Sequence, residues 1–186
     1  LHCANGRKDP DFMPIGDAEI IVRRQETPIP IAPGGSLSDY VPFYFTPYSP
    51  MLYNIKTGHR GVTRRDNAEI VILVSSLHKV HEHGGSFVFT DRHAAAAGMA
   101  RFSADLDDLP EFVPWDLLRA RDFRRDPEWP DKLERYQAEA LIHRHLSSAA
   151  LLGIVCYSKE VAENLREQVN GHGLDMDVHQ RPGWYF

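Results

Sequence analysis

Six of the chain's 13 prolines fall between Pro28 and Pro50, and this clustering does most to limit the fold. Each proline fixes φ at about −65°, removes a backbone donor and biases its predecessor away from the helical region. A long helix is excluded here, and extended segments joined by tight turns are expected. Pro33-Gly34-Gly35 reads as a turn, and Val41-Pro42-Phe43-Tyr44-Phe45 as a strand packed on both faces. An aromatic strand bracketed by prolines makes a rigid wall, either core or the lining of a pocket.

The flanking segments read more simply. Within the polar, turn-rich stretch Leu1 to Thr27, Glu19-Ile20-Ile21-Val22 is a β-like run. Downstream, Ala68 to Ser75 is β-rich and reads as a buried strand. Ser76 caps a short helix ended by Gly84-Gly85, and Ser86 to Thr90 forms another strand. Asp91 is expected to cap a helix running through Ala94 to Ala97 and on past Ala100 and Phe102. Pro114 opens a helix over Trp115 to Arg121. Leu152 to Tyr157 is a strand, after which Ser158 caps a helix with Val161, Leu165 and Val169 on one face, stopped by Gly171 and Gly173. Leu174, Met176 and Val178 alternate as in a half-exposed strand. Strands alternate with short helices without a regular βαβ rhythm, so the class is α+β and residues 1–186 read as one domain.

Composition excludes several classes. Of the 186 residues, 42% are hydrophobic and 25% charged, which rules out wholesale disorder. The longest apolar run, Ala149 to Cys156, is eight residues, far short of a membrane-spanning helix. With 21 Lys and Arg against 26 Asp and Glu, the formal charge of −5 excludes a globally basic coat but leaves room for a local basic groove. Cys3 and Cys156 make neither a disulfide framework nor a zinc knuckle, which points to a reducing, cytoplasmic setting. Leu1 opens no signal-peptide pattern and is not Met, so the chain is expected to start inside a longer protein.

Four constellations could carry chemistry, each with a plain alternative. His78, His81 and His83 with Glu82 suggest zinc, but their spacing fits no established motif and equally describes a solvated helix end. His59-Arg60 with Arg64-Arg65, and Arg119, Arg121, Arg124 and Arg125, offer phosphate contacts or solvated loops; Asp116, Asp122 and Asp126 interleave with the second set. Gln137-Ala138-Glu139 precedes Ala140-Leu141-Ile142-His143. As a strand it puts Glu139 and Leu141 on one side, with Ala138, Ala140 and Ile142 on the other. A helix continuing from Pro130 through Leu133 and Tyr136 competes, and periodicity by itself favours a surface position for Glu139. Arg23-Arg24 is either a surface pair with Glu26 or an anion clamp, since a guanidinium presents a rigid donor fork to a pyrophosphate.

Taken together these segments resemble the DarT family. The resemblance rests on Arg23-Arg24, on the block Pro33 to Pro47 followed by Ser49-Pro50-Met51-Leu52-Tyr53, on Phe87 to His93, on Gln137-Ala138-Glu139 and on Trp184-Tyr185-Phe186, in the same order along the whole chain. DarT proteins are toxins of bacterial toxin–antitoxin pairs that ADP-ribosylate thymidine in single-stranded DNA, using NAD and no metal. The resemblance implies an ADP-ribosyltransferase fold, in which a split, bent β-sheet with flanking helices clasps NAD. It implies that Glu139, Arg24 and His93 are catalytic, with Arg24 contacting NAD and assisting deprotonation of the thymine ring nitrogen, and His93 opening the long loop that leads to Glu139 and presents substrate; an arginine pKa above about 12 favours an orienting, charge-stabilising role for Arg24 over that of a base. Tyr44 matches a position packed near nicotinamide and Asn5 a cofactor contact. Tyr48 and Met51 fall in the base-contacting region, and Arg119 and Arg121 in a DNA-facing patch. A macrodomain-type antitoxin that strips ADP-ribose from DNA is the implied partner, with no membrane association.

One departure from the family stands out. In the family, a first strand and helix carrying a histidine-containing NAD-binding motif precede the point matching Leu1, and a protein that truly lacked them is expected to bind NAD weakly. Transfer to RNA or protein, an inactive NAD- or nucleic-acid-binding module, and a metal-dependent hydrolase built on the histidine cluster are the competing functions.

Overall fold

A computed structural model of the chain describes residues 1–6, 10, 15–96 and 98–186. Its strands are β1 (Tyr40–Tyr44), β2 (Ile72–Val74), β3 (Phe87–Thr90), β4 (Phe102–Ser103), β5 (Glu139–His143), β6 (Gly153–Cys156) and β7 (Val178–Gln180). They form two open sheets. The larger has the order β1-β5-β3-β4 and is antiparallel throughout. The smaller has the order β2-β6-β7, with β7 parallel to β6. The helices are α1 (Ala18–Glu26), α2 (Pro50–Thr57), α3 (Leu77–Glu82), α4 (Leu109–Phe112), α5 (Trp115–Ala120), α6 (Lys132–Tyr136) and α7 (Lys159–Gly171). This is the expected α+β arrangement of a split sheet flanked by helices. No helix among the described residues is long and apolar enough to cross a membrane.

β5 organises the larger sheet, because β1 and β3 pair with its two edges. Its residues Glu139, Ala140, Leu141 and Ile142 are all buried. Ala140 and Ile142 pack with Val41, Phe87 and Phe89 on one face. Leu141 packs with Tyr40, Val88 and Ala94 on the other. The Val, Leu, Ile and Phe side chains among them each contribute roughly 1.5–3 kcal/mol by leaving water. Strand alternation sends Glu139 to the Leu141 face, where the paired register sets Tyr44 directly opposite it. Pro42 is tolerated in β1 because that strand lies at the sheet edge. Pro50 occupies the first turn of α2, whose N-cap Ser49 accepts from the Leu52 N–H at 3.1 Å.

Several local readings give way to tertiary structure. Glu19 to Val22 is helical, not β-like: Asp17 caps α1 by accepting from the Glu19 and Ile20 N–H groups at 3.0 and 3.4 Å. Asp91 caps no helix. Its buried carboxylate instead receives Arg92 and Arg101, Ala94 to Ala96 form turns, and Phe102 enters β4. Ala97, within the expected helix, lies outside the described residues. The buried strand expected over Ala68 to Ser75 is a 3-10 turn at Asn67–Glu69 followed by the half-buried β2. The strand expected over Leu174 to Val178 begins only at Val178. Around Glu139 the strand prevails over the helix, because α6 stops at Tyr136 and β1 and β3 supply hydrogen-bonded ladders to residues 139–143.

Candidate active site

Glu139 opens β5 on the face shared with Thr90 and Tyr44, and it is 1% exposed. The surface position that periodicity favoured is therefore overturned, because β1, β3 and the loop after β3 enclose the residue. Its backbone N–H donates to Thr90 Oγ1 at 3.1 Å, and that hydroxyl donates to the Arg92 carbonyl at 2.6 Å. The carboxylate is held at both oxygens. Oε1 accepts the Ala94 N–H at 3.0 Å, and Oε2 accepts Arg24 Nη1 at 2.8 Å.

Arg24 reaches this carboxylate from α1, across 115 residues of sequence. Ile20 and Arg24 stand one helical turn apart and are the half-buried residues of a helix that buries none fully. The ion pair is nearly dry, with the side chains 13% and 2% exposed. Such a pair repays its desolvation only with good geometry, and removing one partner costs about 3–5 kcal/mol. Arg24 Nη2 is buried and has no hydrogen-bond partner among the described residues. Buried donors are ordinarily satisfied, so this one is available to a ligand oxygen.

His93 and Tyr44 complete the immediate surroundings. Burial pushes the His93 imidazole below its ordinary value; Glu139 opposes that shift, and Arg24 and Arg23 reinforce it. The neutral ring accepts the Ala95 N–H on Nδ1 at 3.1 Å, which leaves its own proton on Nε2. Burial also raises the Tyr44 phenol, and the Glu139 charge adds to the effect. The loop carrying His93 and Ala94 is clamped by Asp91, a fully buried residue where the sequence pattern suggests a helix cap. Asp91 accepts from the Arg101 N–H at 3.0 Å, from Arg101 Nε at 3.1 Å, and from Arg92 at 3.4 Å. Burial by itself would raise this carboxyl, but these donors outweigh it and hold it below the usual range.

The remaining candidates lie elsewhere. Tyr48 follows β1 and packs against Phe186 with the rings tilted and their centroids 4.2 Å apart. Arg121 lies 4.7 Å over the Tyr48 ring, and Phe123 and Tyr53 extend the same aromatic shelf. The Tyr136 hydroxyl donates to the Tyr48 carbonyl at 3.1 Å, tying the shelf to the segment that leads into Glu139. Met51 is exposed on α2. Arg119 pairs with Asp116 at 2.6 Å and Arg124 with Asp122 at 2.9 Å, so the interleaved acids neutralise part of the basic cluster. Asn5 stands at the opposite end of the β1–β5 pair, donating to Asp39 Oδ1 at 2.9 Å. His78, His81 and His83 lie in or just after α3, and no group of three or more His, Cys, Asp or Glu among the described residues is placed to hold a metal.

Comparison with known proteins identifies the family. The DarT family profile, described as ssDNA thymidine ADP-ribosyltransferase, matches residues 1–186. A protein of Escherichia coli O127:H6 named DNA ADP-ribosyl transferase is 50% identical over 187 residues, covering 100% of this chain and 85% of the relative. A protein of the same name from Thermus sp. 2.9 is 39% identical, over 87% of this chain and 75% of its own. Thermus sp. 2.9 DarT in complex with ADP-ribosylated ssDNA superposes with a TM-score of 0.90 at 35% identity, covering 100% of this chain and 87% of that one. The same protein with NAD+ gives a TM-score of 0.83 at 33% identity, with the same coverage. With a match along its full length and a relative identical at half of the aligned positions, this chain belongs to the DarT family of ssDNA thymidine ADP-ribosyltransferases.

Proposed function

We propose that the buried Glu139–Arg24 pair is the centre at which this chain detaches nicotinamide from NAD and passes ADP-ribose to thymine in single-stranded DNA. The observation that carries the reading is the carboxylate fixed at both oxygens, by Ala94 N–H and by Arg24. As nicotinamide leaves, positive charge develops on the ribose. A carboxylate that accepts from a ribose hydroxyl stabilises that charge, and its preset orientation spares reorganisation during the step. A guanidinium stays protonated below a pH of about 12, so Arg24 orients and stabilises charge and removes no proton. Its unpartnered Nη2 serves a substrate oxygen. Tyr44, neutral and opposite Glu139, offers its ring to nicotinamide, and neutral His93 offers an Nε2–H donor at the start of the substrate loop.

The strand of DNA is read as crossing the aromatic shelf. Base stacking on such rings contributes about 1–3 kcal/mol per base, and Arg121 adds a cation beside them. Tyr48 and Met51 form the base-contacting edge. Arg119 is a peripheral phosphate contact, since its exposed pair with Asp116 holds it weakly. Asn5 serves the far end of the cofactor. Residues 1–186 act as one cytoplasmic ADP-ribosyltransferase domain, a toxin opposed by a macrodomain-type antitoxin; family resemblance supports these last assignments.

The reading is tested by mass spectrometry of a thymidine-containing single-stranded oligonucleotide incubated with the protein and NAD. One ADP-ribose on this oligonucleotide, with none on a thymidine-free strand or on RNA, is the expected result. Modification of RNA or of protein in its place overturns it.

A further inference from the structure

Thr90 closes β3 and is fully buried, and its hydroxyl reaches beyond its own strand. The β3–β5 register runs from Phe87↔Ile142 to Phe89↔Ala140 and stops one residue short of Glu139. There the Glu139 N–H donates to a side chain, Thr90 Oγ1, at 3.1 Å. The hydroxyl gives its own proton to the Arg92 carbonyl at 2.6 Å. A hydroxyl has one proton and two lone pairs, so a proton committed to Arg92 leaves a lone pair for the Glu139 N–H. Each bond polarises the oxygen in the sense the other needs, and the two strengthen each other.

The Ala94 N–H that holds Glu139 Oε1 at 3.0 Å is separated from Arg92 by His93 alone. Both partners of the Ala94–carboxylate contact are therefore attached to one oxygen: Glu139 through its backbone, and Ala94 through the Arg92 carbonyl. Asp91 also restrains this segment, accepting from Arg92 and from the Arg101 N–H. Asp91 holds the segment to itself, whereas Thr90 holds it to β5. We propose that Thr90 is a positioning residue for the transfer step, whose hydroxyl keeps the Glu139 carboxylate in register with the N–H that orients it. The assignment rests on Glu139 being the carboxylate that serves transfer, and Thr90 acts only through it. A reacting group must be held within about 0.5 Å of its productive geometry, and a misplacement of about 1 Å costs on the order of 100-fold in rate.

The test measures kcat for ADP-ribose transfer to a thymidine oligonucleotide, NAD binding by calorimetry, and melting temperature. It compares wild type, Thr90→Val, Thr90→Ser and Glu139→Gln. Thr90→Val keeps the shape and removes the oxygen, and its kcat is expected to fall by about 100-fold with the Kd for NAD unchanged. Thr90→Ser keeps the oxygen and is expected to recover most of that loss while giving up the buried methyl. A purely structural role predicts otherwise: a folded Thr90→Val transfers at the wild-type rate below its melting temperature. Wild-type kcat in Thr90→Val, an equal drop in Thr90→Ser, or a loss of NAD binding as large as the loss of kcat overturns the assignment. Should Thr90→Val not fold, Thr90→Cys carries the test, because a thiol is a weak donor and a weak acceptor. Its kcat is expected below that of Thr90→Ser, and a rate at or above it overturns the assignment. Wild-type transfer by Glu139→Gln overturns the reading of the site itself, whatever the Thr90 variants do.

Discussion

The two halves of the transfer pair stand on very different ground. Glu139 begins the central strand of the larger sheet, 1% exposed and hydrogen-bonded through its backbone and both carboxylate oxygens. Arg24 comes from α1, a helix with no buried residue, whose Val22 is 55% exposed. The core therefore sets the carboxylate whether or not α1 is docked. Arg24 is delivered by a helix that packs beside the 3-10 turn at Leu37–Asp39 and is joined to the core by that same ion pair, while its cap residue Asp17 is paired to Arg60 at 3.1 Å. One half of the site is set in the core, and the other is carried on a helix that buries no residue fully.

The sharpest break of this asymmetry is Arg24→Ala. It strands a buried carboxylate, and a loss of about 3–5 kcal/mol in unfolding free energy is expected. Transfer is expected to vanish together with it. Denaturant unfolding of Arg24→Ala and of the double variant Arg24→Ala/Glu139→Gln checks the first point: an equal loss in both would place the cost in packing and not in the orphaned charge.

A gentler variant separates anchorage from chemistry. Asp17→Ala removes the helix cap and the Arg60 pair, at an expected cost of about 1 kcal/mol. Hydrogen exchange should quicken in α1 and stay slow in β5, with kcat lowered and the melting temperature nearly unmoved. Uniform acceleration of both elements would show that α1 and the sheet unfold as one unit.

The smallest effect lies in pH. His93 and His143 are both depressed below the ordinary imidazole value of 6.5, in each case chiefly by burial. Below 6.5 the unfolded chain binds more protons than the folded one, so stability is full above that pH and declines as pH falls toward the folded values. His93→Asn should flatten this acid-side decline without altering stability at pH 8. An unchanged slope would assign the decline to His143 and other groups.

The same contrast between local and distant support separates the features a sequence discloses from those it hides. The apolar run Ala140 to Ile142, the caps at Ser49, Ser76 and Ser158, and the proline-bounded strand were legible, because each depends on neighbours within a few residues. The core position of Glu139 was not. A carboxylate becomes buried only when partners bring donors, and these came from residues 45 and 115 positions away. Asp91 misled for the same reason. An aspartate ahead of an alanine run is an ordinary helix cap, and only the folded loop shows Arg92 and Arg101 claiming it. α1 looked β-like because its β-branched residues outweighed a single capping aspartate in a local reading. The family resemblance gathered Arg24, His93 and Glu139 without geometry. The sheet then supplied the reason they meet.

The most direct test of the central claim is Glu139→Gln, a change that keeps shape and removes charge. The measurement pairs ADP-ribose transfer to a thymidine oligonucleotide with NAD binding by calorimetry on the same protein. Transfer reduced by at least about 1,000-fold, with NAD still bound, is the predicted result. Transfer at or near the wild-type rate would contradict the account and move the chemistry away from the Glu139–Arg24 pair.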